Sequence, residues 1–303
     1  MNRRNFIKKT AAGTAFAALG LTPYNVLAND DSVTITILHT NDIHCHIEPF
    51  TGSSEQYNNK GGLARISELV KAIRQQNPNM LLLDAGDMFQ GTPYFNFYKG
   101  ELILKLMSAV GYDAGTIGNH EFDNGLEGIL QPLPNAKFPI INSNYDFSDT
   151  ILANKFPRWK TFKRSGVKIG VYGLGIQLKG LVSEQNYGKT VYNNPVATAL
   201  EMETFLKYEK HCDLIICLSH LGLKYKNRRF SDMVLAAETN ATDLIIGGHT
   251  HTFLEKPLEL KNKSGKPVIV NQAWWAGLVV GKIDFVFERT TKKKKSVLTK
   301  QLY

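Results

Sequence analysis

Three cysteines in 303 residues, Cys45, Cys212 and Cys217, are too few for a disulfide-stapled scaffold. Beyond the N-terminal leader, no run approaches the roughly 18 apolar residues of a membrane-spanning helix. Internal repeats and low-complexity blocks are missing apart from one lysine run, which excludes solenoids and repeat arrays. Positive charge looks abundant at a formal +9, but little of it belongs to the body of the chain. Arg3, Arg4, Lys8 and Lys9 carry four of those charges before residue 28, and the lysines at 292–295 carry four more. The remainder is nearly neutral, which argues against a broad nucleic-acid-binding face.

What is present begins with an address. Arg3-Arg4-Asn5-Phe6-Ile7-Lys8, the mild apolar stretch 11–21 and the small residues near Val26-Leu27-Ala28 read as a twin-arginine export leader over residues 1–28. Asn2 stands where Ser or Thr is usual, and no cysteine follows to carry a lipid anchor. The competing reading is a retained amphipathic anchor. Export implies a periplasmic or extracellular protein with no stable membrane span once the leader is removed. Residues 29–290 then form one domain and 291–303 a basic, solvated C-terminal tail.

The body alternates apolar, strand-like runs (33–38, 80–83, 214–218, 244–246) with helical patterns (63–74, 101–110, 195–211), an α/β arrangement. Continuous runs such as Leu81-Leu82-Leu83 read as strands buried on both faces. The polar clusters follow those runs: Asp42-Ile43-His44, Gly86-Asp87, Ser219-His220 and Gly247-Gly248-His249-Thr250-His251. A fifth, Gly118-Asn119-His120-Glu121-Phe122-Asp123, packs an amide, an imidazole and carboxylates into one turn. Loops at one edge of an α/β sheet bring such clusters together.

Carboxylate, imidazole and amide ligands suit divalent Zn, Mn or Fe. One ion takes Asp42, His44 and His251; a second takes Asn119, His220 and His249; Asp87 bridges them. Two such ions acidify a shared water and, with only two aspartates to offset them, leave positive charge for a phosphate dianion. His120 adjoins a ligand without being one, and Asp123 can accept its Nδ1–H, favouring an imidazolium that stabilises the transition state. His39 and His211 read as structural. His46 is open between a substrate-side group and a loop histidine, and Cys45, between two histidines, is a lesser candidate ligand. Trp274 and Trp275 read as a stacking platform at the cleft or as packing.

These stretches, with Ile37-Leu38-His39-Thr40-Asn41-Asp42-Ile43-His44, Gly61-Gly62-Leu63-Ala64-Arg65 and Asp84-Ala85-Gly86-Asp87 through Gly91-Thr92-Pro93, resemble the 5′-nucleotidase branch of the calcineurin-like metallophosphoesterases. The resemblance implies two packed β-sheets flanked by helices, in four layers αββα. It implies that Asp42, His44, Asp87, Asn119, His220 and His249 are metal ligands and that His120 and Asp123 form a catalytic dyad. At residue 251 the family varies among Gln, Asn and His. The implied activity is release of phosphate from nucleoside 5′-monophosphates or related phosphomonoesters. The same site could serve cyclic nucleotides or nucleotide sugars as a phosphodiesterase or pyrophosphatase. Family nucleotidases usually carry a C-terminal nucleotide-binding domain, which the sequence is expected to lack. A partner-dependent half-enzyme with a separately encoded substrate-binding domain, or a metal-binding surface protein, is therefore the rival of a different class.

Overall fold

The computed structural model describes residues 31–52, 57–227 and 229–303. The export leader expected over residues 1–28 lies outside the described residues. Two six-stranded sheets form the centre. Across the first, the strands run Lys294–Leu302, Val280–Glu288, Ser32–Thr40, Met80–Asp84, Ala114–Thr116 and Ile140–Ile141. Across the second they run Leu258–Lys261, Pro267–Asn271, Leu244–Gly247, Leu214–Ser219, Val167–Leu174 and Trp159–Arg164. In the first sheet the four strands from Ser32–Thr40 to Ile140–Ile141 are parallel and Val280–Glu288 and Lys294–Leu302 add antiparallel on one side; in the second the four central strands are parallel and both edge strands are antiparallel.

Strand periodicity explains the continuous apolar runs. Ile35, Ile37, Leu81 and Leu83 of the first sheet face Leu214, Ile216, Leu218, Leu244 and Ile246 of the second, forming a core between the sheets. The alternate residues Leu38, Met80 and Leu82 point outward onto the helices Leu63–Gln76 and Glu101–Val110. Ile215, Cys217 and Ile245 likewise point outward onto the helices Pro195–Thr204 and Asp232–Glu238. Each central strand therefore needs apolar side chains on both faces, and the layers stack helix, sheet, sheet, helix. The expected α/β four-layer architecture is present. No helix among the described residues is long and apolar enough to cross a membrane.

Two expectations are corrected. The segment 291–303 is not a solvated tail: Lys294–Leu302 is an edge strand, antiparallel to Val280–Glu288 over its whole length. Its lysines lie on the open edge, where charge blocks further strand pairing, and Lys294 Nζ meets Asp243 Oδ1 at 2.6 Å. The helical pattern 195–211 stops at Thr204, loosens into one wider turn over Phe205–Glu209 and ends before His211, an exposed turn residue at φ 53°.

The edge strand is tied down near the cleft. Gln301, 5% exposed, donates through Nε2 to Leu254 O at 2.8 Å and Asn271 Oδ1 at 2.9 Å. Gln301→Ala should strand these acceptors and cost about 1–3 kcal/mol in chemical denaturation. No measurable change would show that the amide is dispensable.

Candidate metal centre

The C-terminal ends of the parallel strands converge on one rim, and their loops interlock. Asp42 N–H donates to Gly86 O (2.9 Å), His44 N–H to Asp87 O (3.0 Å) and Cys45 N–H to Met88 O (2.9 Å). Glu121, buried, joins the third loop to these. Its carboxylate accepts from the amides of Asp87 (3.1 Å), Met88 (2.8 Å), Phe89 (3.1 Å) and Gly118 (2.6 Å). The fourth loop closes on Asp42, whose two oxygens both lie 3.1 Å from His249 N. Gln272 braces that loop from behind: Nε2 donates to Gly248 O (2.8 Å) and Asp232 Oδ2 (3.0 Å), and Oε1 accepts from Thr252 N (3.0 Å).

All seven expected ligands meet here. Asp42, His44 and His251 offer ligand atoms within 4.8 Å of one another, and Asp87, His220 and His249 do the same. Asn119 Oδ1, 2.7 Å from His249 Nδ1, belongs to the second group. Asp42, His44, Asp87, His249 and His251 hold φ between 46° and 71°, a backbone region that side-chain-bearing residues seldom occupy. Such strain persists where the surroundings over-determine it, and it clusters at functional sites. Gly118 is needed for close approach: a Cβ there would lie 2.1 Å from Asp87 Oδ1 and 2.7 Å from His220 Nε2.

The donor chemistry fits two cations. His44 Nδ1 lies 3.1 Å from Phe89 O and His220 Nδ1 2.7 Å from Ala85 O. A carbonyl can only accept, so each Nδ1 carries a proton and each Nε2 is left facing inward, able to give its lone pair to a cation. His44 Nε2 then faces His251 Nε2 at 3.0 Å and Asp42 Oδ1 at 3.9 Å. His220 Nε2 lies 2.9 Å from Asp87 Oδ2, fully buried and without a hydrogen bond. Lone pairs directed at carboxylates repel unless positive charge lies among them.

Electrostatics agree. Burial disfavours charge on His220, but Asp87 and Asp42 outweigh it and raise its pKa to about 10, so a proton is drawn to where a cation fits. Burial opposes ionisation of Asp87 too, yet the charge and hydrogen bond of His220, with His120 beyond, hold its pKa below the usual carboxylate range. Burial keeps His44 and His249 neutral, the latter pushed down to about 4.

His120 stands apart from both groups, in a single helical turn His120–Phe122 beside His44 at 5.2 Å between ring centroids. Its Nδ1 meets Asp123 Oδ2 at 2.8 Å, and its side chain is 36% exposed. The Asp123 hydrogen bond, opposed by partial burial and aided by the charge of Asp87, raises its pKa to about 9. It is therefore a cationic donor at neutral pH.

Other candidates separate clearly. Cys45 is not a ligand: its thiol turns into the core, 3.5 Å from Met88 O, and burial raises its pKa to about 12. His39 is structural, pinned between the sheets by Asn271 Nδ2 at 2.7 Å. His46 packs between Phe50 and Trp275, with burial lowering its pKa to about 4. Glu121, Gln272 and Asn41 perform work that sequence reading did not assign. Asn41 Nδ2 donates to Asp42 Oδ2 and to Trp274 O, both at 2.6 Å, and its Oδ1 accepts from Ala273 N at 2.7 Å.

A four-layer α/β sandwich with two adjacent pockets for divalent cations at one rim defines the dinuclear metallophosphoesterase class. Residues 35–253 match the Calcineurin-like phosphoesterase family, and the chain belongs to that family. It is 33% identical to the 5′-nucleotidase of Rattus norvegicus over 84% of this chain and 46% of that protein. The 5′-nucleotidase precursor from Thermus thermophilus superposes with TM-score 0.81 at 32% identity, over 89% of this chain and 54% of that one. The calcineurin-like phosphoesterase YfkN from Bacillus subtilis superposes with TM-score 0.72 at 27% identity, over 89% of this chain and 91% of that one. The chain spans about half the length of the curated relatives it matches.

Proposed function

We propose that this protein is a metal-dependent phosphohydrolase that releases phosphate from nucleoside 5′-monophosphates or related phosphomonoesters. The observation that carries this reading is the placement of two cation pockets beside an imidazole that belongs to neither and is paired with Asp123. Asp42, His44 and His251 would hold one ion, Asn119, His220 and His249 would hold the other, and Asp87 would be shared between them. Two divalent ions so held supply an acidified water and neutralise phosphate charge. The protein's part is to fix those ligands and to present His120 Nε2–H to the reacting phosphate. Asp123 keeps the proton on Nδ1 and stabilises the imidazolium, favouring charge that develops on departing oxygen. The 5′-nucleotidase names of the similar proteins support the choice of substrate. A phosphate-release screen of the metal-loaded protein against nucleotides, sugar phosphates and diesters tests it. Turnover of diesters alone would sink it.

The Arg3-Arg4 leader supports a further proposal, export by the twin-arginine route. Replacing both arginines by lysine should hold the protein in the cytoplasm, as cell fractionation would read. Unchanged export of that variant would refute the route.

A further inference from the structure

The pocket ligands are aimed by different means. His44 and His220 are each turned by a backbone carbonyl on Nδ1. His251, with a side chain 38% exposed, has no such bond among the described residues; its Nε2 lies 3.0 Å from His44 Nε2 and 3.3 Å from Asp42 Oδ1. What its ring does have is a flat neighbour. The Trp275 indole lies parallel to it, 5° between planes and 5.8 Å between centroids, an offset stack.

Trp275 is itself held firmly. Phe50 and His46 pack edge-on against it at 5.7 and 5.3 Å. Its loop is fastened to the first pocket: Ala276 N–H donates to Asp42 O at 2.8 Å, and Asn41 joins Asp42 Oδ2 to Trp274 O. The same loop carries φ 61° at Trp274 and 51° at Ala276, on either side of Trp275, so its backbone is held in a region that persists only where the surroundings fix it.

We propose that Trp275 is a positioning residue of the first cation pocket, its indole face doing for His251 what a backbone carbonyl does for His44 and His220. This rests on the dinuclear reading above. A cation on His251 Nε2 withdraws electron density from the imidazole, and an electron-poor ring is held more tightly by the negative face of an indole. Linkage makes the effect reciprocal: a stack that strengthens when the cation arrives strengthens the binding of that cation. The wall of rings also excludes water from one side of an otherwise exposed ligand.

Calorimetric titration of chelator-stripped protein with zinc or manganese(II) tests this without reference to turnover. Wild type should take up two ions; uptake of none would refute the dinuclear reading itself, separately from the role of Trp275. Trp275→Leu, which fills space without a flat face, should weaken one of the two binding steps roughly 3–30-fold and leave the other alone. Trp275→Phe should stay within about threefold of wild type, because a face remains. In a His251→Ala background Trp275→Leu should add nothing, since the stack has no partner left. If Trp275→Leu does not fold, Trp275→Met is measured in its place with the same expectation. Wild-type affinity in the Leu variant, equal weakening of both steps, or an undiminished Leu effect without His251 would each overturn the proposal.

Discussion

Asp87→Asn should yield a folded protein that has lost both cations and its phosphohydrolase activity together. Asp87 is the carboxylate we propose to be shared by the two ions: it groups with His220 and His249, its Oδ2 faces His220 Nε2 at 2.9 Å, and its Oδ1 accepts from the amide of His120 at 2.8 Å. An amide of the same size preserves the latter contact but removes a negative charge from between two sites that must each hold a dication. Residues that merely brace a metal ligand cost about 10–100-fold in affinity when replaced. Losing a shared ligand should exceed that, and elemental analysis should find neither ion at stoichiometric level. Asn119→Ala, which removes a ligand from the second group only, should lose the second ion first and activity with it. Fully active protein containing one ion or none would overturn the dinuclear assignment for this chain.

The residues that converge on the two pockets were legible in the sequence for a physical reason. A central strand buried on both faces must read as a continuous apolar run, so the first polar residues after it mark the rim where loops meet. Asp42, Asp87, His220 and His249 all fall there. The braces were not legible, because their partners are backbone atoms. Glu121 accepts four amides from two loops, and nothing in its spacing from Asp87 announces that. Gln272 and Asn41 work the same way, through carbonyls and amides brought close only by folding. Cys45 was a lesser candidate because two histidines flank it, and the structure buries its thiol in the core instead. The edge strand Lys294–Leu302 was hidden by its lysines, which serve an open sheet edge as well as they would a solvated tail. Strands Trp159–Arg164 and Val167–Leu174 went unassigned because no polar cluster drew attention to the run Val167-Lys168-Ile169-Gly170-Val171-Tyr172.

His120→Ala should separate chemistry from metal binding. Because the imidazole lies outside both ligand groups, the variant should keep both ions while kcat falls about 10²–10⁴-fold, the scale of a lost acid or charge-stabilising donor. Loss of the ions would show that His120 is a ligand instead. The pH profile carries the finer test. Activity that needs protonated His120 is present below its pKa and lost as pH rises through it. The Asp123 hydrogen bond raises that pKa to about 9, so it extends the active range upward. Bound cations repel the proton and move the basic limb down in every variant alike, leaving the sign of the difference intact. Asp123→Asn should therefore shift the basic limb of kcat to lower pH, with a smaller fall in kcat at acidic pH, where His120 is protonated in either protein. In His120→Ala the limb should vanish, and adding Asp123→Asn to it should change nothing further, because a carboxylate that acts only through one imidazole has no effect once that imidazole is gone. An unshifted limb in Asp123→Asn would mean that the pair, 2.8 Å apart, sets geometry but not protonation.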